Sequence, residues 1–416
     1  MKTDVPGSIL LLRKLSSIAV MLVAALIFAD ISAAGEVEKL VDKLVEKGIL
    51  TRSEAEELAL ETKQETEKQK EAEKQESKIP EWVAKTKLTG DLRLRYQYED
   101  RDGEESRERG RYRLRAGLES QIIDTVKTGF GLATGSGDPR STNQTFTNSS
   151  EKPTVRFDYA FAQWHPIDWF KLTGGKMHNP VYRPADLLWD SDITPEGVAA
   201  QFPFEVSKAV ELFLNTAFFI LDERSSTSDP YMYVIQPGID WDILDTVSLK
   251  LSAAYYGIED VQGTSLDHSS ETNTLSNGGL AFEYSSYGLS GQLAMKKIAG
   301  FLPYLGIYGE YIHNPDPDDD NEGYIGGILL GHEKIGNLWD WQLGYSYRRL
   351  ERDAWLDILP DSDFYGGATG VKGSEAIVNL GLAKNIWLGL DYYHTENIGN
   401  GGIEEDLFQA DLNLKF

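Results

Sequence analysis

The last ten residues read Leu407-Phe408-Gln409-Ala410-Asp411-Leu412-Asn413-Leu414-Lys415-Phe416. Phe408, Ala410, Leu412, Leu414 and Phe416 are apolar, and Gln409, Asp411, Asn413 and Lys415 between them are polar. Strict period-two alternation is the pattern of a β-strand with one apolar and one wet face. Two architectures can use it. A soluble sandwich buries the apolar face in a core, whereas a transmembrane barrel turns it to lipid and gives its polar face to a lumen. A sandwich strand seldom finishes flush on an exposed Phe, and the upstream chain decides the matter by repeating the pattern.

From Thr86 the sequence reads as β throughout. Leu88, Leu92, Leu94, Tyr96 and Tyr98 share one face, with Asp91, Arg93, Arg95 and Gln97 on the other. Tyr112, Leu114, Ala116 and Leu118 alternate with Arg111, Arg113, Arg115 and Glu119. The theme returns at Val247 to Tyr255, Trp339 to Tyr347, Ala376 to Leu382 and Ile386 to Tyr392. Connections alternate between short ones (Ile123 to Thr125, Pro166 to Asp168, Asp242 to Asp245, Lys384-Asn385) and long polar ones (Gly135 to Pro153, Ile258 to Asn273, Pro315 to Glu322, Arg352 to Lys372). Tight turns on one rim and long loops on the other are what a membrane barrel needs. Counting up and down from Thr86 gives 16 antiparallel strands, each with its connection taking about 20 residues. Leu275 to Gly300 reads equally as one long strand or an extra hairpin. Trp164, Trp169, Trp241, Trp339, Trp341 and Trp387 lie beside short turns; Tyr96, Tyr98, Tyr231, Tyr233, Tyr255, Tyr345, Tyr347 and Tyr392 lie towards long loops. Amphipathic rings sorted to strand ends form the two girdles of a membrane interface.

Composition agrees. The 416 residues include no Cys, so neither disulfides nor thiolate metal sites are available. A net charge of −25 argues against nucleic acid, which needs a basic footprint. Mean hydropathy is −0.36, far too low for a helical membrane protein and ordinary for a barrel. Residues 1–34 have the form of a signal peptide: Arg13 and Lys14, an apolar Ile18 to Phe28, and a small-residue site at Ser32-Ala33-Ala34. Residues 35–80 change to a helical period. Val37, Leu40, Val41, Leu44 and Val45 form a stripe, Gly48 caps it, and Thr51 to Glu54 is a capping box opening a Glu/Lys/Gln helix that Pro80 stops. This segment reads either as a solvated periplasmic spacer or as a self-associating coiled-coil stalk. Residues 81–416 are the barrel.

Gly174-Gly175-Lys176-Met177-His178-Asn179-Pro180, running into Leu187-Leu188-Trp189-Asp190-Ser191-Asp192 and Pro195-Glu196-Gly197, resembles bacterial outer-membrane porins, in particular the "putative porin" family of Gram-negative bacteria. Tyr345 to Ala354 and the terminal Phe416 carry the same likeness, which spans about 80–416. The resemblance implies a trimeric passive diffusion channel in the Gram-negative outer membrane, and Phe416 as the signal by which such barrels reach their insertion machinery.

Arg93, Arg95, Arg111, Arg113 and Arg115 all take the non-lipid phase. An Arg facing lipid at mid-depth costs about 2–4 kcal/mol, so this phase is selected. The strip reads as a generic wet wall, paired to inward carboxylates such as Asp91 and Glu119, or as a positive pore lining. Opposite charge lies in the 178–195 loop, at Asp186, Asp190 and Asp192 with Glu196 just beyond. That loop follows the fifth strand, where general porins fold a loop inward, and its Leu187, Leu188 and Trp189 need something to pack on. Together these nine residues are the expected constriction, with a field across it and a weak cation preference. Asp316, Asp318, Asp319, Asp320 and Glu322 match no cation-loop motif and read as a solvated acidic loop. No nucleophile elbow or phosphate loop occurs, so neither a catalytic residue, a metal nor a cofactor is expected. The function read from the sequence is a water-filled porin for small hydrophilic solutes and ions, touching outer-membrane lipid. The alternative is a structural tether that reaches peptidoglycan through the stalk.

Overall fold

The computed structural model describes Thr51, Ser53, residues 80–399 and residues 401–416. The expected signal peptide (1–34) lies outside the described residues, as does the expected helical segment 35–80 apart from Thr51, Ser53 and Pro80. The chain divides into two units, Met1–Pro80 and Glu81–Phe416, and the second is the barrel.

A single helical turn, α1 (Glu81–Ala84), leads into 16 barrel strands. They are β1 (Thr86–Arg101), β2 (Arg107–Ile123), β3 (Val126–Ala133), β4 (Arg156–Ile167), β5 (Phe170–Lys176), β6 (Glu196–Ser207), β7 (Val210–Ile220) and β8 (Tyr231–Leu244). The second half is β9 (Val247–Glu259), β10 (Ser286–Ala299), β11 (Leu302–His313), β12 (Glu322–Gly331), β13 (Trp341–Leu350), β14 (Val371–Ala383), β15 (Ile386–Asn397) and β16 (Glu404–Lys415). Every strand pairs antiparallel with its neighbours in sequence, and β16 returns to β1 in a register running from Asp91↔Lys415 to Arg101↔Glu405. Closure leaves no strand edge without a backbone partner, which a sheet in hydrocarbon requires. The opening stretch is the closing strand.

Alternation places the side chains. Leu94, Tyr96 and Leu114 are each 44% exposed on the outer face, while their neighbours Arg95 and Gln97 are buried inward. Two-residue turns such as 384–385 mark one rim; the loops 134–155, 177–195, 260–285 and 351–370 mark the other. On the loop side Phe218 meets Tyr231 at 5.1 Å and Tyr255 meets Tyr233 and Tyr287 at 5.8 and 5.2 Å, and on the turn side Trp169 stacks on Phe204 at 5.9 Å. Trp387 departs from the expected girdle, because its register partner is the inward Asn413 and its ring belongs to the lumen row. Leu275 to Gly300 combines both sequence alternatives: a minute hairpin pairs Leu275–Ser276 with Gly279–Leu280, and one barrel strand follows.

The lumen is where sequence and structure part. A wholly polar interior was expected, yet Phe161, Phe219, Met232, Tyr256 and Ile312 point inward and are buried. They pack on Leu187, Leu188 and Trp189 of loop 177–195 and on Trp355, Leu356 and Leu359 of loop 351–370. Each large side chain so buried contributes roughly 1.5–3 kcal/mol. Loop 351–370, read from sequence as a long polar connection, is therefore an apolar insertion in which Asp353 to Asp361 are all buried. Its apolar run Ala354-Trp355-Leu356 and Ile358-Leu359 was the available signal.

Candidate functional site

The arginine register sits on β1 and β2, with Asp411 of the neighbouring β16 beside it. Cross-strand pairing sets Arg93 opposite Arg113 and Arg95 opposite Arg111, like charges that would repel without counterions. Counterions are present. Arg95 makes a two-pronged pair with Asp411 on β16, Nε to Oδ1 at 2.7 Å and Nη2 to Oδ2 at 2.8 Å, and its Nη1 donates to Asp363 of loop 351–370 at 2.9 Å. Arg113 and Arg115 each donate from Nε to Asp91 at 2.8 Å. Arg93 donates to Asn143 of loop 134–155 at 2.6 Å and reaches Asp411 only at 3.5 Å. Arg111 donates to Gln97 at 2.9 Å and Ser141 at 3.5 Å, and among the described residues it has no carboxylate within 4.0 Å. Glu119, expected as an arginine partner, pairs instead with Lys127 at 2.6 Å.

The acidic residues of loop 177–195 separate into different environments. Asp192 lies against the arginines: it accepts from Arg115 Nη1 at 3.1 Å and from the Thr142 backbone N–H and hydroxyl at 3.0 and 2.9 Å. Asp190 is 4% exposed, accepting from the Ser362 and Asp192 backbone N–H groups, both at 2.8 Å. Asp186 accepts from Arg348 at 2.6 Å. Glu196 is not brought into this network. It opens β6 in the outward register of Val198 and pairs with Lys176 at 3.1 Å, with two-thirds of its side chain exposed. So acid and base meet in direct contact at Asp192, with no gap between them there.

Two residues that the sequence reading missed complete the arrangement. Arg348 on β13 is 2% exposed, yet its Nη2 faces Asp186, Asp361 at 3.4 Å and Glu375 at 3.9 Å, and its guanidinium carbon lies 4.2 Å over the Phe364 ring. Arg140 of loop 134–155 donates to the Asp357 and Gly367 carbonyls at 2.7 and 3.3 Å. Trp355 Nε1 donates to the Leu188 carbonyl at 2.7 Å, so the two inserted loops are stapled to one another. Arg348 lay within a quoted motif, Tyr345 to Ala354, but nothing in its spacing says that three acids converge on it.

A closed barrel with loops folded inward onto a charged wall is the architecture of a diffusion channel. The family described as "Putative porin" matches this sequence over residues 98–296 and 265–416. The chain belongs to that family. Among solved structures the porin is similar to Pseudomonas putida OprB in its high-pH structure, with 9% identity and a TM-score of 0.53 over 82% of this chain and 96% of that one. It is also similar to Salmonella typhi OmpF, solved with daunomycin, at 11% identity and TM-score 0.48 over 80% of this chain and 97% of that one. A third is the outer membrane channel DcaP of Acinetobacter baumannii, at 12% and 0.46 over 80% and 97%. The OprB likeness establishes the shared fold. No curated protein matches the sequence.

Charge states in the porin's inserted loops follow from these contacts. Burial, then the neighbouring Asp192, pushes Asp190 up to about 8. Burial and Asp186 likewise hold Asp361 well above the usual carboxylate range. Asp192 and Asp363 go the other way: burial alone would raise them, but Arg113 and Arg115 outweigh it for the first, and Arg95 and Arg93 for the second. Acids that touch the arginine wall are thus held ionised, and those sealed between loops are held protonated.

Proposed function

We propose that this porin is a water-filled outer-membrane channel for small hydrophilic solutes and ions, narrowed where loops 177–195 and 351–370 meet the arginine wall. The observation that carries the reading is that both inserted loops are tied to that wall by ion pairs, Asp192 to Arg115 and Asp363 to Arg95. Charges in such a passage set ion preference as rings of charge do in other pores. Arg115 keeps 31% of its side chain exposed and Arg95 only 3%, so Arg115 meets the passing ions and Arg95 holds the structure. The test is single-channel recording in planar bilayers with neutral sugars of increasing size. Asp192→Asn should move the reversal potential in a salt gradient towards anions and Arg115→Gln towards cations. Asp190→Asn, at a buried protonated position, should move it little. If neither of the first two shifts it, the constriction lies elsewhere.

The outer face supports a homotrimer. The 7 residues of β5 and 8 of β3 reach only about 18–20 Å along a tilted strand, short of an apolar band about 25 Å tall. The outward Lys176–Glu196 pair lies in the same sector, where lipid would be a poor neighbour and another copy a good one. The chain has no Cys, so a single Ala162→Cys in this sector should cross-link copies in membranes, and monomers alone would sink the idea. The remainder of the outer face meets lipid. Residues 1–34 are proposed as the signal and 35–80 as a separate periplasmic helical module. A chain starting at Lys85 should refold in detergent as a conducting barrel; failure to fold would make the module integral.

A further inference from the structure

Beneath loop 177–195, on the turn side of the lumen, is a cavity of about 270 Å³. Its wall is built from the inward rows of β5, β6, β7 and β9, and its roof from Pro180, Val181 and Tyr182. The roof is fixed. Gln236, fully buried, accepts from the Tyr182 N–H and donates to the Tyr182 carbonyl, both at 2.8 Å. The Tyr182 ring meets Phe213 edge-on at 6.1 Å, and the Lys250 ammonium sits 5.0 Å over both rings while paired to Asp240 at 2.9 Å. The Tyr182 hydroxyl is buried at its oxygen and has no hydrogen-bond partner among the described residues. Burial, then Glu310, keeps that phenol protonated, so the roof is closed at this point.

Two opposite charges line the same cavity. Lys171 on β5 and Glu211 on β7 have no ion-pair partner among the described residues, either with each other or with a third group. Their strands are separated by β6, whose Gln201 spends its amide N–H on the Pro180 carbonyl at 3.3 Å and Asn215 at 3.2 Å, leaving its oxygen without a partner among the described residues. Val181, Pro203 and Phe213 supply an apolar side. A cavity of this size with a cation at one end, an anion at the other and an apolar wall between them has the pattern of a small zwitterion.

We propose that this cavity is a resting site for zwitterionic solutes of amino-acid size. The solute's carboxylate faces Lys171, its ammonium faces Glu211 and the Gln201 oxygen, and its apolar side chain lies on Val181 and Phe213. The inference rests on the channel reading and names a solute class for it. Binding must be weak, because a solute held tightly would block the path it travels.

The test uses the full-length porin in planar bilayers, with leucine as probe. Potassium chloride conductance should fall saturably as leucine is added at neutral pH, whereas mannitol at equal concentration should lower it only in proportion to viscosity. Lys171→Met removes an exposed side chain with no ion-pair partner among the described residues, so folding is spared. It should raise the half-saturating concentration about 2- to 10-fold, the worth of one hydrogen bond. Lys171→Met with Glu211→Gln should raise it further. Leucine acting no differently from mannitol, or unaffected by both variants, overturns the proposal. Equal saturable block by mannitol overturns it too, by showing a site for neutral hydroxyl compounds. Absence of any conductance would instead defeat the channel reading, so the two failures are distinct.

Discussion

Arg348→Met is the substitution that tests most directly how the inserted loops are held. The side chain is 2% exposed and its Nη2 faces three carboxylates, at 2.6 Å for Asp186, 3.4 Å for Asp361 and 3.9 Å for Glu375. Methionine fills similar volume but takes the cation from Asp186 and the buried Glu375 and a hydrogen-bond donor from the protonated Asp361. Removing one partner of a buried ion pair costs about 3–5 kcal/mol. That cost cannot extract the whole loop, since Trp355 and Leu356, fully buried, hold it with roughly 1.5–3 kcal/mol each. It suffices to release the end of the loop, from Asp361 to Tyr365, which also loses its Phe364 contact with the guanidinium. Two readouts follow. Chymotrypsin should cut at Phe364 or Tyr365 in the variant and spare the parent, and single-channel conductance should rise and become noisier. Adding Asp186→Asn and Glu375→Gln to the same chain should restore resistance, because neutralising both sides of a buried pair is nearly neutral. If Arg348→Met alone leaves cleavage and conductance unchanged, the guanidinium does not hold the loop and the packing of 354–359 suffices.

Two further outcomes are expected. Phe416 and Gly90 exchange backbone hydrogen bonds of 2.9 Å in both directions at the closing seam, and a Cβ on Gly90 would stand 2.5 Å from the Phe416 ring; deleting Phe416 or making Gly90→Leu should lower the amount of heat-modifiable folded barrel in outer membranes, and unchanged assembly of both would refute the seam's role. Loop packing should also depend on pH in two directions, read as chymotrypsin resistance of the parent protein. Asp190 and Asp361 have folded values above the ordinary range, so their protonated burial is fully favourable below about 4 and is penalised as pH rises towards 8. Asp192 and Asp363 are depressed, so their contribution is present above about 4 and lost as pH falls through their folded values. Asp190→Asn should flatten the alkaline limb alone, and a limb of unaltered steepness would show that another group titrates there.

How far the sequence could be read is decided by which solvent each face meets. Leu92, Leu94 and Tyr96 against Arg93, Arg95 and Gln97 are legible because lipid imposes one rule along the whole outer face, and the same rule gave the strand count and the closing strand. The inner face obeys no such rule. On β1 and β2 it meets water and loop acids, so the arginines keep the alternation visible. On β7 and β9 it meets inserted loops, and Phe213, Phe219, Ala254, Tyr256 and Ile258 erase the contrast with the outward row. The apolar run 187–189 was recognised as needing a partner. That partner was Ala354 to Leu359, some 170 residues away, carrying the same signal and read as polar because Arg352, Asp353, Asp357 and Asp361 surround it. An apolar run with no outward register inside a barrel sequence must be buried against another such run. Two of them therefore predict each other, which is the inference that would have placed loop 351–370 inside the lumen. It would not have supplied Arg348: a cation on an inward row is legible as lumen-facing, but that it closes on Asp186, Asp361 and Glu375 depends on how two loops fold together, and no local spacing encodes that.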